Sequence, residues 1–170
     1  MSFRYIGAIL VFVSCGAAGF LKASGYRRQV RELEQLGHCL DLMLCELEYQ
    51  LTPLPQICRN AANSASGCLG KIFANLSQEL ENQIAPDAAS CMQAALAAVK
   101  DVPPQVEAVL NLLGNSLGKF DADGQISEIS AVKRHCQELL SQMQENQTIR
   151  LRTYQTLGLC AGAALAIVFL

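Results

Sequence analysis

Between Tyr26 and Leu54 the sequence places Val30, Leu33, Leu36, Leu40, Met43, Leu44, Leu47 and Leu51 at steps of mostly three and four. Arg31, Glu32, Glu34, Gln35, Asp41, Glu46 and Glu48 fill most of the positions between them. Only an α-helix brings residues at that spacing onto one face, so the stretch predicts an amphipathic helix with a leucine seam and the polar residues on its outer side. It runs into Thr52-Pro53-Leu54-Pro55, where two prolines remove backbone donors and end the hydrogen-bond ladder. Its first turn carries Arg27, Arg28 and Arg31, a basic collar that follows an apolar run and reads as an anchor for lipid headgroups.

That apolar run, Tyr5 to Leu21, has no charged residue over 17 positions. As a helix it covers about 26 Å, close to the bilayer core of about 30 Å. Gly7, Gly16, Ala17, Ala18 and Gly19 give it the small residues that let membrane helices approach each other. Val13-Ser14-Cys15 resembles the end of a lipoprotein cleavage box, but Phe12 departs from it. The cations also lie after the run, Lys22, Arg27, Arg28 and Arg31 against Arg4 alone before it, which retains the following region in the cytoplasm. At the other end Leu157 to Leu170 is again uncharged, with Arg150 and Arg152 just before it. The expected organisation is a transmembrane helix over 1–24, a cytoplasmic helical bundle over 25–152 and a second transmembrane helix over 153–170.

Within the central region Thr52 is an expected N-cap for a short helix from Pro53 to about Ala62. Leu69, Ile72, Phe73, Leu76 and Leu80 mark a third helix, and an alanine-rich stretch from Ala88 to Lys100 a fourth. Val106, Val109, Leu110, Leu113 and Leu117 mark a fifth, ending at Gly118. A sixth begins near Gly124 with Ile126, Ile129, Val132, Cys136, Leu139, Leu140 and Met143, and nothing after it stops a helix. No stretch alternates with period two, so the fold class is all-α: an antiparallel helical bundle whose first and last helices lie side by side and continue into the membrane.

The chemistry-bearing residues form no catalytic pattern. The net charge of −2 suggests no nucleic-acid partner. The eight cysteines show no C-x-x-C spacing and fall among apolar neighbours, as buried thiols of a reducing compartment do. Cys39 follows His38 and Cys136 follows His135, but adjacent helical residues point about 100° apart, too far for a thiol–imidazole pair. Asp121-Ala122-Asp123-Gly124 resembles part of a calcium loop, yet the register puts Lys119 at the first ligand and Ser130 at the last, so capping of the sixth helix is the simpler role. No enzyme activity, cofactor or metal is expected.

Two short elements resemble the stage III sporulation protein AB family of endospore-forming bacteria: Glu48-Tyr49-Gln50-Leu51-Thr52-Pro53-Leu54-Pro55, and Leu117-Gly118-Lys119-Phe120-Asp121 with Gln125. The resemblance includes Tyr26-Arg27 through the leucine helix and covers nearly the whole chain, with the hydrophobic ends. It implies a membrane scaffold of the channel complex between mother cell and forespore, with a cytoplasmic domain similar to the F-type platform proteins of type II secretion. It also implies membrane lipids, other channel components and a secretion-type ATPase as partners. The alternative is a membrane-anchored helical adaptor of another secretion or signalling assembly. Arg27, Arg28, Arg31, Tyr49, Thr52, Pro53, Leu54, Pro55, Gly118, Asp121 and Gln125 are the candidate interaction or motif residues.

Overall fold

The computed structural model describes the backbone of residues 2–50, 52–82, 87–118 and 122–169, and side chains within 24–49, 52–82, 87–118, 123–145 and at 156. The described residues form six helices: α1 (Ser2–Gln50), α2 (Leu54–Ser64), α3 (Gly67–Asn82), α4 (Ala88–Ala97), α5 (Pro104–Ser116) and α6 (Ala122–Phe169). Among the described residues there is no strand. The chain divides into two compact units, one made of 1–30 with 142–170 and the other of Arg31–Ser141.

The Arg31–Ser141 unit is an all-α bundle whose core follows the helical periods of the sequence. Leu33, Leu36, Leu40 and Met43 of α1 are fully buried, as are Ile57 and Cys58 of α2, Leu69, Ile72, Phe73 and Leu76 of α3, and Met92 of α4. Val106, Val109, Leu110 and Leu113 of α5 and Ile129 of α6 complete it. Each such side chain contributes about 1.5–3 kcal/mol relative to exposure, before chain entropy is subtracted. In sequence order α2 packs on α3, α3 on α4 and α4 on α5. Within this unit α1 and α6 lie side by side and antiparallel: the Cys136 thiol donates to the Leu33 carbonyl at 3.6 Å, and Lys133 pairs with Asp41.

Helix ends differ from the sequence reading at the start of α2 and the end of α4. Thr52 does not cap α2. Pro53 occupies the N-cap itself at φ −60°, ψ 142°, and no side chain bonds into the first turn. The physical reason is Pro55, which removes one of the N–H groups that a capping hydroxyl serves. The Pro53 carbonyl still accepts from Gln56 N at 2.9 Å and Ile57 N at 3.1 Å. α4 stops at Ala97 rather than Lys100, and Asp101 turns the chain at φ +62° ahead of Pro103. Asp87 caps α4, its carboxylate accepting from Ser90 N at 3.2 Å.

The polar face of α1 is also narrower than its sequence suggests. Glu32 and Glu46 are 9% and 7% exposed. Asn60 of α2 donates to both Glu46 carboxylate oxygens at 2.8 and 2.9 Å, and the Cys68 thiol of α3 donates to Glu32 Oε2 at 3.2 Å. A buried carboxylate is tolerated only where donors replace water, and neighbouring helices supply them here. Leu44, by contrast, is only half-buried, and Leu51 lies outside the described residues.

In the other unit Tyr26 Oη donates to the Met143 carbonyl at 2.7 Å, joining α1 to α6 across 117 positions of sequence. Among the described residues no helix is long and apolar enough to cross a membrane. The side chains of 2–23 and 157–170, where the two spans are expected, lie outside them.

Candidate functional site

The motif residues fall at two corners of the Arg31–Ser141 unit. The first joins α1 to α2. Tyr49 ends the described side chains of α1 and is 79% exposed. Thr52 is half-buried, Pro53 exposed, and Leu54 and Pro55 half-buried. Ser77 of α3 donates its hydroxyl to the Pro55 carbonyl at 2.9 Å, which fixes the start of α2 to the bundle and leaves Tyr49 and Pro53 facing water. A large aromatic left outside a well-filled core gains nothing for folding and is the residue type that anchors protein interfaces.

The second corner joins α5 to α6. α5 closes on Leu117, whose N–H donates to the Leu113 carbonyl at 3.0 Å, and the chain then reverses through Gly118 at φ +75°. Only glycine adopts that backbone without strain. Ser116 donates to the Leu112 carbonyl at 3.1 Å and to Glu128 Oε2 of α6 at 3.4 Å, tying the two helices beside the turn. Gln125 lies in the opening turns of α6, with its amide nitrogen buried and without a partner. Asp121 lies outside the described residues. The structure therefore places Tyr49 with Thr52, Pro53, Leu54 and Pro55 at one corner and Gly118 with Gln125 at another.

Arg27 and Arg28 are exposed in the unit built from the chain ends, and Arg31 is exposed in the bundle unit. Tyr26 ties α1 to α6 there, a role that neither its place at the start of the leucine helix nor its part in the family resemblance assigns to it. A tyrosine beside three arginines gives no sign of a bond to a carbonyl 117 residues away.

Neither histidine meets a reactive thiol. His38 and His135 are exposed, whereas Cys39 and Cys136 point inward. Burial pushes both thiols up to about 11, and Cys58 up to about 12. They remain protonated at neutral pH and are weak nucleophiles. Cys45 is the exposed thiol among the described residues. Among those residues no three His, Cys, Asp or Glu side chains gather as a metal site. The arrangement can present surfaces; among the described residues no nucleophile, base and oxyanion donors meet at one point.

Comparison with known proteins matches residues 4–170 to the family described as Stage III sporulation protein AB. The chain belongs to this family. Among its members, Stage III sporulation protein AB of Bacillus subtilis (strain 168) is 23% identical over 170 residues, covering 98% of this chain and 99% of the relative. A solved structure of a Stage III sporulation protein AB superposes with a TM-score of 0.63 at 21% identity, covering 72% of this chain and 98% of that one. At that identity the superposition establishes the fold: the stage III sporulation protein AB helical bundle. The relatives carry the names of sporulation proteins, not of enzymes.

Proposed function

We propose that this chain is a non-enzymatic scaffold of the channel complex between mother cell and forespore, required for spore development. Both apolar ends are held in the mother-cell membrane and the Arg31–Ser141 bundle stands in the cytoplasm. The observation that carries this reading is the extent of the family match, which runs from position 4 to 170 and so includes both uncharged ends together with the bundle. The basic residues beside each end, Arg27, Arg28 and Arg31 at one and Arg150 and Arg152 at the other, suit anionic headgroups on the cytoplasmic face. The buried, protonated thiols and the filled core suit a mount better than a catalyst. By its resemblance to type II secretion platforms, the bundle positions a secretion-type ATPase against the other channel components.

Two measurements test this. Over a sporulation time course the protein sediments with membranes and resists carbonate extraction, and its deletion blocks spore formation. Recovery in the soluble fraction, or normal spore yield after deletion, overturns the proposal. Topology is read from Cys45 in a Cys15→Ala, Cys160→Ala background, because Cys45 is exposed without denaturant. It resists a membrane-impermeant maleimide in intact cells and reacts after permeabilisation. Labelling in intact cells reverses the orientation.

A further inference from the structure

The net charge of −2 conceals a division. The unit of 1–30 and 142–170 carries six Lys and Arg against one acid, giving +5, while Arg31–Ser141 carries seven against fourteen, giving −7. The bundle is therefore strongly acidic, and part of that charge is ordered along α1. Glu34, Asp41 and Glu48 recur every seventh residue and all three are exposed. Beside them runs a second series, His38, Leu42, Cys45 and Tyr49, at steps of four, three and four. With about 100° per helical residue, this series faces away from Leu33, Leu36, Leu40, Met43 and Leu47, the buried seam, and the acids form one flank of it. His38, Cys45 and Tyr49 are exposed and Leu42 is half-buried, so the series is a weakly apolar outer seam, and no described helix covers it.

We infer that this outer seam of α1 is a docking face for a basic amphipathic helix of a partner protein. The inference rests on the mount reading above and names the surface and the chemistry of what is mounted. Alternating steps of three and four over three helical turns are the pattern that a second helix reads, with the flanking charges selecting its partner residues. The acids of that flank, Glu34, Asp41 and Glu48, are the charges beside the series from His38 to Tyr49, with Arg31 closing its N-terminal end, and Lys133 of α6 already pairs with Asp41, so an amine is accommodated on that side. A second copy of this chain is the wrong occupant: it would bring the same acids and another −7 unit against the first, and like charges across an interface disfavour pairing. Tyr49, at 79% exposure, is the anchor, and Glu48 beside it supplies the charge that meets the incoming Lys or Arg.

The test places a benzophenone amino acid at position 45 of the full chain in sporulating cells, with position 112 of α5, where Leu112 is 44% exposed, as the control site. Illumination yields a protein adduct from 45 and not from 112. The cross-linked peptide is an amphipathic segment with Lys or Arg at seven-residue spacing. Glu48→Lys lowers the adduct by about tenfold, as reversal of a charge at an interface rim does, whereas Glu107→Lys, an exposed acid on α5, leaves it unchanged. Far-UV circular dichroism and melting of the purified variants check that both remain folded. An adduct with lipid or with a second copy, an adduct insensitive to Glu48→Lys, or no adduct at 45 overturns the inference. Spore counts separate the two readings. If deletion itself leaves sporulation intact, the mount reading fails. If deletion blocks sporulation but Tyr49→Ala with Glu48→Lys complements fully, the docking face alone fails.

Discussion

Cys39, Cys58 and Cys136 sit in the core with exposures of 2%, 0% and 1%, and their burial has a consequence in alkali. In the unfolded chain these thiols ionise near 9, whereas in the folded chain they hold their protons to about 11, 12 and 11. Between those limits the unfolded state binds fewer protons, so stability falls as pH rises, by about 1.4 kcal/mol per pH unit for each thiol. Below pH 9 the contribution is complete. Urea titrations at pH 8 to 11 should show a steep loss above pH 9, and the triple variant Cys39→Ala, Cys58→Ala, Cys136→Ala a shallower one. Equal slopes would refute the assignment. Gly114 raises a different point, since a Cβ added there meets Met92 Cβ at 2.6 Å, an atom fixed to the α4 backbone. Gly114→Ala should destabilise by about 1–3 kcal/mol despite the higher helix propensity of alanine, because the two helices must separate. Met92→Ala leaves the clashing atom in place and should not rescue it, whereas Met92→Gly should. Thermal denaturation of the three variants decides.

At the scale of the elements, the corner at Gly118 separates backbone strain from packing. A Cβ there lies 3.9 Å from Ala88 Cβ, an ordinary contact, so the cost of Gly118→Ala comes from φ +75° alone, about 1–2 kcal/mol. Gly118→Asn should lose less, because asparagine tolerates that region, and melting curves rank the two. The six helices themselves were legible because Leu33, Leu36 and Leu40, or Leu69, Ile72, Phe73 and Leu76, recur at the helical period, and prolines and glycines punctuate the joins. What the period does not reveal is which polar residues a neighbour will satisfy. Glu32 and Glu46 read as solvent-facing because their donors, Cys68 and Asn60, come from helices whose approach no local pattern specifies. Thr52 has the hydroxyl that cap preference favours, but Pro55 removes one of the N–H groups that such a hydroxyl serves, so Pro53 takes the cap position. The two motif corners were visible as turn residues. The outward side of Tyr49 was legible as well, since at about 100° per residue it lies opposite Leu36, Leu40 and Leu47; what the period does not reveal is that no described neighbour covers it.

For the whole molecule, the division into a basic unit from the two chain ends and an acidic unit of Arg31–Ser141 has a direct physical consequence. The acidic unit holds the fully buried residues of α1 to α6, from Leu33 to Ile129, and its polar ties Glu46–Asn60, Ser77–Pro55 and Ser116–Glu128 close within it. A segment of this size with its own core is long enough to bury roughly two thirds of its surface and to fold alone. The isolated segment 31–141 should therefore be soluble, strongly helical by far-UV circular dichroism, and should unfold in one cooperative urea transition. It should not bind anionic vesicles, because the net −7 is repelled by them, whereas the full chain should partition with membranes through its apolar ends and basic collar. Vesicle flotation of both proteins at low and moderate salt is the measurement. Flotation of the segment would show that the bundle has a lipid affinity of its own, and a segment without a cooperative transition would show that the bundle depends on the arms for its fold. A folded, non-binding segment would place membrane attachment in the arms and leave the acidic bundle free to face a basic protein partner.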